Sequence, residues 1–183
     1  MRRLECSGLK ELVGRYTFDS FKTPQHWQAQ AKQKATDYLT APKGTWFFIG
    51  GQSGAGKTHL CTAICGSLID GGKDLFYFKW REESPRLKAL INDADRYEKE
   101  MKKLSDIPVL YIDDFLKGSV SDADINLAYA LLNDRYNTGR RTIISSERSI
   151  EDIARIDEAI AGRIYERAKG YCLLTQKVNY RLK

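Results

Sequence analysis

Short apolar runs alternate with longer segments of helical periodicity along most of this chain. Five such runs occur, at residues 45–49, 74–80, 109–112, 142–145 and 171–175. They contain little polar alternation, which predicts strands that are buried on both faces. After the first run, Leu60, Ile64 and Leu68 recur every four residues and predict a helix from Lys57 to about Ile69. The pattern therefore predicts an α/β fold, with a parallel sheet covered by helices on both faces.

Capping signals predict where the other helices begin. Thr23-Pro24 predicts a helix to about residue 39, and Ser84-Pro85 predicts one or two helices to about residue 104. Ser121 is predicted to cap a helix that ends near residue 137. Ser149 and Asp157 are predicted to open two short helices. The segment before Thr23 is the least regular part of the chain. We therefore expect a single domain over residues 1–183, with 1–23 as an arm or linker and 24–183 as the core.

Composition narrows the class of protein only a little. The 183 residues carry a formal net charge of +6, which suits a polyanionic partner. No apolar run approaches the length of about 18 residues that a membrane span requires, and Met1-Arg2-Arg3 does not begin a signal peptide. The four cysteines include no C-x-x-C pair, so a zinc site is not expected and a reducing cytoplasmic location fits.

Residues 51–58 carry the most specific chemistry. They read Gly-Gln-Ser-Gly-Ala-Gly-Lys-Thr directly after the first predicted strand, which is the pattern of a phosphate-binding loop. Its glycines allow the backbone to approach phosphate oxygens at the start of a helix, where the dipole favours anions. Lys57 is expected to reach the β- and γ-phosphates of ATP, and the Thr58 hydroxyl to coordinate Mg²⁺. The predicted nucleotide-binding residues are Gly51, Gln52, Ser53, Gly54, Ala55, Gly56, Lys57, Thr58 and His59.

The third predicted strand ends in two acids, Asp113 and Asp114, which is a Walker B pattern. Asp113 is expected to hold Mg²⁺ opposite Thr58, and Asp114 to orient or activate the attacking water. The fourth strand ends Ser145-Ser146-Glu147, and a polar side chain here can lie between the two acids and the γ-phosphate. Ser146 and Glu147 are both candidates for that position, and a plain turn is an equal alternative.

Arginines follow near the end of the chain, in Gly162-Arg163-Ile-Tyr-Glu-Arg167. An arginine that reaches the ATP of a neighbouring subunit would stabilise charge in the transition state, an effect worth roughly 10³–10⁵ in rate. From the sequence pattern, Arg163 and Arg167 could equally be solvated helix residues.

These motifs together resemble the AAA+ domain of the DnaC/DnaI bacterial helicase loaders, including prophage versions, and more distantly the IstB transposition helper. The resemblance also covers Tyr16-Thr17-Phe18-Asp19-Ser20-Phe21, and it runs from about residue 15 to the end of the chain. It implies a P-loop NTPase with an AAA+ core and strand order 5-1-4-3-2. As a departure from full AAA+ proteins, no C-terminal helical lid is expected. It also implies that Arg163 acts in trans on a neighbour's nucleotide in an assembly that forms on ATP and DNA, with Arg167 as the alternative.

The resemblance further implies partners and cofactors. It implies ATP and Mg²⁺ as cofactors, and single-stranded DNA and a hexameric replicative helicase as partners. The helicase is expected to bind through a region that is missing here. The region around residues 80–104 corresponds to the part of these loaders that faces single-stranded DNA. Cations and one aromatic residue there are the candidate DNA contacts: Lys79, Trp80, Arg81, Arg86 and Lys88. Core packing is the alternative for Trp80.

The leading hypothesis is therefore a helicase loader, switched by ATP and hydrolysing it slowly, since Asp114 stands where fast AAA+ enzymes usually carry Glu. The alternatives are an IstB-like helper that binds duplex DNA, a P-loop small-molecule kinase, and a nucleotide-binding adaptor without useful turnover. Glu147 departs from the Asn that is frequent at the family's sensor position, which leaves its contact with the γ-phosphate open.

Overall fold

A five-stranded parallel sheet forms the centre of the protein in the computed structural model, which describes residues 8–175. Its strands are β1 (Phe47–Gly50), β2 (Leu75–Lys79), β3 (Val109–Asp113), β4 (Arg141–Ser145) and β5 (Cys172–Leu174). They lie in the order β2-β3-β4-β1-β5, and every neighbouring pair is parallel. The predicted α/β class and strand order are therefore confirmed.

Eight α-helices accompany the sheet within residues 8–175. They are α1 (Leu9–Arg15), α2 (His26–Asp37), α3 (Lys57–Asp70), α4 (Trp80–Ala89), α5 (Ala94–Asp106), α6 (Asp122–Asn137), α7 (Ile150–Ala154) and α8 (Glu158–Arg167), with a 3-10 turn at Tyr38–Thr40. None of these helices is long and apolar enough to cross a lipid bilayer. Ser121 and Ser149 cap their helices, as the sequence predicts, and they form capping boxes with Asp124 and Asp152.

The two faces of the sheet carry separate apolar cores, because successive strand residues point to opposite sides. Phe48, Leu110 and Ile112 lie on the side covered by α4 to α8. Phe47 and Tyr111 lie on the other side, against α1, α2 and α3. A parallel sheet of this kind brings the carboxyl ends of its strands to one edge, where ligands of open α/β folds bind.

The segment before Thr23 differs from the irregular arm that the sequence predicts. Its helix α1 packs against α3, and the Leu9 side chain is fully buried. Phe21 is also buried in the core on that side. An isolated seven-residue helix is too short to be stable in water, so this tertiary contact rather than local propensity accounts for α1.

Two predicted helix starts are also corrected. The helix predicted at Thr23-Pro24 begins at His26, where Gln25 and Gln28 form the capping box. The helix predicted at Ser84-Pro85 begins earlier, at Trp80, and carries Pro85 inside it. Proline cannot donate to the carbonyl four residues before it, so burial of Trp80 and Leu87 must stabilise this helix against that loss.

Arg135, in the last turn of α6, connects the C-terminal end of α5 with the first residues of β4. Its side chain is fully buried. Its guanidinium donates to the carbonyl oxygens of Leu104 (2.6 Å), Ile107 (3.0 Å) and Arg141 (2.6 Å), and to the Thr142 hydroxyl (2.9 Å). Burial lowers the pKa of Arg135 to about 9, so the group remains charged at neutral pH. The carbonyl groups of Leu104, Ile107 and Arg141 thus all accept from one buried guanidinium.

Replacing Arg135 by methionine tests this connection. Arg135→Met keeps the apolar stem but leaves several buried carbonyl groups without a donor, so we expect it to lower the free energy of unfolding by about 3 kcal/mol or more. Urea denaturation measures the change. The exposed Arg96→Met is the matched control, with an expected effect within about 0.5 kcal/mol. Equal losses in the two variants would contradict a structural role for Arg135.

Candidate active site

The loop of residues 51–58 joins β1 to α3 in a conformation that requires glycine. Gly51, Gly54 and Gly56 have φ values of 122°, 78° and 89°. A Cβ atom on Gly51 would lie 2.1 Å from the Thr175 hydroxyl oxygen, so no side chain fits there. The loop ends at the N-terminus of the 14-residue helix α3, where the helix dipole attracts anions.

Lys57 lies beneath this loop rather than in solvent. Only 6% of its surface is exposed, and its Nζ donates to the Gln52 carbonyl oxygen at 2.8 Å. Burial lowers the pKa of Lys57, while the charges of Glu147 and Asp114 act in the opposite direction. The ammonium is therefore held at the loop, partly desolvated, where attraction to a phosphate would be strong.

Asp113 is the most heavily bonded side chain at this edge of the sheet. Its carboxylate accepts the hydroxyl hydrogens of Tyr77 and Tyr111, each at 2.8 Å, and that of Ser145. These hydroxyls come from the neighbouring strands β2, β3 and β4, so three strands converge on one carboxylate. Burial is the main reason that the pKa values of Tyr77 and Tyr111 are raised, and both hydroxyls therefore remain protonated donors.

The Thr58 hydroxyl lies 3.4 Å from an Asp113 oxygen, so the two residues predicted to hold Mg²⁺ are adjacent. Hydroxyl and carboxylate oxygens are hard ligands, and Mg²⁺ commonly takes only one or two of them from the protein, with water and phosphate supplying the rest. Among residues 8–175, the structure contains no cluster of three His, Cys, Asp or Glu side chains suited to a metal ion. The residues thus fit a metal that arrives with a nucleotide.

The chain turns sharply after Asp113. Asp114 and Leu116 adopt φ values of 54° and 52°, in the left-handed region that side chains other than glycine seldom enter. The turn is held by the Asp114 backbone N–H, which lies 3.2 Å from both Asp113 Oδ1 and the Ser145 hydroxyl. Backbone strain of this kind persists only where the surroundings enforce it. Here the turn directs the Asp114 carboxylate into the cavity beside the phosphate loop.

Lys117 is a residue that the sequence analysis missed. Its Nζ lies 3.1 Å from Asp114 Oδ2 and 2.9 Å from Glu147 Oε1, so one ammonium joins the second Walker B acid to the end of β4. Burial acts against the charge, but these two carboxylates raise the pKa of Lys117 overall. The sequence did contain a signal for Lys117, since it lies in the loop after the third predicted strand. In a parallel sheet such a loop lies at the same edge as the phosphate loop.

Glu147, and not Ser146, faces the cleft. The Ser146 hydroxyl is fully buried and donates to the Phe115 carbonyl oxygen at 2.8 Å, which directs it away from the cavity. Burial raises the pKa of Glu147, but the hydrogen bond and charge of Lys117 outweigh it and hold the pKa below its ordinary value. Glu147 is therefore an anion at neutral pH.

The N-terminal segment forms a further wall of the site. His59 Nε2 lies 2.9 Å from the Thr17 carbonyl oxygen and 3.1 Å from the Ser20 hydroxyl. The imidazole also packs between the rings of Tyr16 and Phe21, with centroid separations of 4.8 and 5.1 Å. His59 thus ties the segment that precedes the core to the first turn of α3.

These elements enclose a cavity of about 400 Å³. It is lined by Leu12, Tyr16, Ser53, Gly54, Gly56, Lys57, Thr58, His59, Asp113, Asp114, Lys117 and Glu147. The structure therefore brings together both predicted acid positions, Glu147 and most of the predicted loop residues. Gly51, Gln52 and Ala55 shape the loop without lining the cavity.

Arg163 and Arg167 do not line this cavity. The Arg163 guanidinium donates to Asn133 Oδ1 (3.0 Å) and the Tyr129 hydroxyl (3.1 Å), and lies 4.7 Å from the centre of the Tyr129 ring. Arg167 donates to the Tyr136 carbonyl oxygen and packs over the Tyr136 ring at 4.5 Å. Both arginines belong to the α6–α8 surface, so neither is placed to act on the nucleotide of its own chain.

The predicted DNA contacts divide into three kinds. Trp80 is only 3% exposed and packs against Phe78 and Phe115, which corrects the expectation that its ring stacks on a base. Lys88 is partly buried in an ion pair with Asp124 at 2.6 Å. The remaining cations, Lys79, Arg81 and Arg86, lie at the surface, and the first two line a shallow cleft next to Asp113 and Asp114.

The sheet order and the loop define the class of protein as a P-loop nucleotide-binding protein with an AAA+ core. A crystal structure of the DnaC helicase loader superimposes with a TM-score of 0.79 at 24% identity, covering 90% of this chain and 98% of that one. A crystal structure of DnaI gives a TM-score of 0.73 at 21% identity, covering 91% and 92%. At these identities the likeness concerns the fold.

Residues 16–183 match the family described as IstB-like ATP binding protein, and the chain belongs to that family. A relative of known sequence, the phage-like element PBSX protein XkdC of Bacillus subtilis, is 34% identical over 138 residues, covering 72% of this chain and 51% of XkdC. The replicative helicase loader DnaC of Escherichia coli is 23% identical over 158 residues, covering 85% and 64%. The chain thus spans about half the length of the Bacillus relatives it matches.

The attachment of the N-terminal segment through His59 predicts a pH dependence. Burial lowers the pKa of His59 in the folded protein, so the unfolded chain takes up its proton first as the pH falls. The stability contributed by His59 should therefore be present above its unfolded pKa and be lost as the pH drops through the folded value. Thermal denaturation between about pH 8 and about pH 5.5 measures this loss.

His59→Gln provides the comparison, since its amide can still donate to the Thr17 carbonyl but does not titrate. The difference in melting temperature between the wild-type protein and His59→Gln should become less favourable to the wild type at low pH. The exposed His26→Gln should follow the wild-type curve. Parallel curves for wild type and His59→Gln would contradict the account.

Proposed function

We propose that this protein is an ATP-driven switch in bacterial DNA replication, a slow ATPase that acts as a helicase loader. The observation that carries the proposal is that Lys57, Thr58, Asp113 and Asp114 all line one cavity. In the proposal, residues 1–183 form one ATPase domain. The helicase loader DnaC among its relatives, and the loader fold that it shares, support the choice of process.

Each residue of the cavity has a role in the proposed hydrolysis. Lys57 holds the β- and γ-phosphates, and the loop backbone at the start of α3 accommodates the remaining phosphate charge. Mg²⁺, held by Thr58 and Asp113, would neutralise charge that develops between the phosphates. Asp114 orients the attacking water and accepts its proton. Aspartate is a shorter base than glutamate, so slow turnover is expected.

The proposed DNA partner is a single strand. Lys79 and Arg81 line the shallow cleft beside Asp113 and Asp114, Arg86 is a further surface cation of α4, and the chain has a net charge of +6. Lys79 and Arg81 lie close to Asp113 and Asp114, so occupation of the nucleotide site can alter the charge that DNA meets. This proximity supports DNA binding that depends on the nucleotide.

Assembly of several copies belongs to the same proposal. Arg163 is held on an exposed surface of α8, away from its own cavity, as an arginine acting in trans requires. Arg163→Ala protein should lose hydrolysis that depends on assembly, and mixing it with Asp114→Ala protein should restore part of that activity. No recovery on mixing would contradict the trans assignment.

A transposition helper that binds duplex DNA is the second candidate, because the family that contains this chain is described as IstB-like. The two candidates share the ATP site and differ in the form of DNA they prefer. Stimulation of hydrolysis by duplex rather than by single-stranded oligonucleotides would favour the helper.

The ATPase prediction is tested with two variants. Lys57→Ala should lose ATP binding, because the loop loses its cation, whereas Asp114→Ala should bind ATP with little change and lose turnover by roughly 10²-fold or more. Binding is measured by calorimetry with a slowly hydrolysed ATP analogue, and turnover by phosphate release with and without a single-stranded oligonucleotide. Lys73→Ala, at the opposite edge of the sheet, is the control.

Unchanged ATP affinity in Lys57→Ala would overturn the assignment of the phosphate loop. Full activity in Asp114→Ala would remove that carboxylate from the chemistry. Hydrolysis that no DNA stimulates in the wild-type protein would count against a replication switch.

A further inference from the structure

Lys117 occupies a position that the motifs of the site do not explain. Its ammonium lies between Asp114 and Glu147, and only 24% of the side chain is exposed. The left-handed turn at Leu116 and the glycine at position 118, with φ of 89°, direct the chain back on itself here. The Lys117 backbone N–H also closes the turn by donating to the Asp114 carbonyl oxygen at 3.1 Å. The side chain is thus directed into the cavity by the backbone.

The charges around the cavity show why this matters. Its lining includes two lysines, Lys57 and Lys117, and three carboxylates, Asp113, Asp114 and Glu147. Without Lys117 the carboxylates would outnumber the cations by three to one, around a site that must accept a polyanion. Lys57 Nζ donates to the Gln52 carbonyl oxygen of the loop, whereas Lys117 is ion-paired with the two carboxylates on the far side of the cavity.

Glu147 gains an explanation from the same geometry. A carboxylate cannot donate a hydrogen bond and would repel a phosphate, so Glu147 is unsuited to direct contact with the γ-phosphate. Its Oε1 instead accepts from Lys117 at 2.9 Å. Lys117 and Glu147 thus form a pair. The pair places a positive charge where the Asn that is frequent at the family's sensor position would donate from a neutral amide.

We propose that Lys117 recognises the terminal phosphate of a nucleoside triphosphate and so distinguishes ATP from ADP. The inference rests on the proposed ATPase function. The ammonium is paired with Asp114 and Glu147. A bound triphosphate would draw it, on the flexible stem of Lys117, from Asp114 to the γ-phosphate. That movement frees Asp114 to orient water, while Glu147 keeps the lysine at the cavity. Glu147 is in this account a positioning residue.

The test compares affinities for a slowly hydrolysed ATP analogue and for ADP, each with Mg²⁺, by calorimetry. Lys117→Met keeps the length of the side chain and removes its charge. It should weaken binding of the analogue roughly tenfold or more while changing ADP affinity by less than about threefold, because a charge-assisted contact with the γ-phosphate is lost. Lys117→Arg should restore most of the preference, and Lys73→Met is the control for loss of a lysine elsewhere.

Glu147→Gln supplies a test in the opposite direction. It removes a negative charge from the cavity and loosens the hold on Lys117, so it should strengthen binding of the analogue relative to ADP. In the double variant with Lys117→Met that gain in preference should disappear. Melting temperatures of all variants verify that they are folded.

Several outcomes would overturn the inference. Equal weakening of both nucleotides by Lys117→Met would show a general charge effect, and unchanged affinities would remove Lys117 from recognition. Faster hydrolysis in Lys117→Met with unchanged affinities would mean that the lysine only restrains Asp114. If the wild-type protein binds neither nucleotide, the proposed ATPase function itself fails, and this result is distinct from a loss confined to the variants.

Discussion

The buried carboxylate of Asp113 is the constraint on which the rest of this structure depends. Asp113 is only 8% exposed, and a buried carboxylate is costly unless donors replace its lost hydration, which the hydroxyls of Tyr77, Tyr111 and Ser145 do here. Since those donors lie on three adjacent strands, and Thr58 lies on the helix that follows the phosphate loop, satisfying one charge aligns the carboxyl edge of the sheet. The site is thereby organised by folding rather than by ligand binding.

The outer part of the cavity is held by ion pairs of Lys117, which can rearrange more easily than the bonds to Asp113. The pairs of Lys117 with Asp114 and with Glu147 are partly exposed, so water screens them and each is weaker than the bonds to Asp113. This arrangement is suited to a switch. A bound nucleotide can rearrange the ion pairs of Lys117 without disturbing the hydrogen bonds that hold Asp113. The strained backbone at Asp114 and Leu116 keeps both networks at the same edge.

Much of this arrangement could be predicted from the sequence, and the exceptions have physical causes. The strands, the phosphate loop and the two acids follow from apolar runs and from glycine and lysine spacing, which act locally, whereas the strand order followed only from the resemblance to a known family. Lys117 was missed because its role depends on two carboxylates from different loops. Trp80 was a candidate base contact because its burial depends on Phe115, far along the chain. The role of Arg135 could not be predicted, because its carbonyl partners lie at the end of α5, in the loop that follows it and at the start of β4. Helix α1 likewise exists only through its contact with α3.

The central claim, that the nucleotide site switches DNA binding, is tested most directly by fluorescence anisotropy of a labelled single-stranded oligonucleotide. The wild-type protein is titrated with Mg²⁺ and either a slowly hydrolysed ATP analogue or ADP, in parallel with a duplex of the same sequence. The account predicts tight binding to the single strand only with the ATP analogue. Equal binding in the two nucleotide states, or no binding in either, would contradict it, and a preference for the duplex would transfer the function to the IstB-like helper.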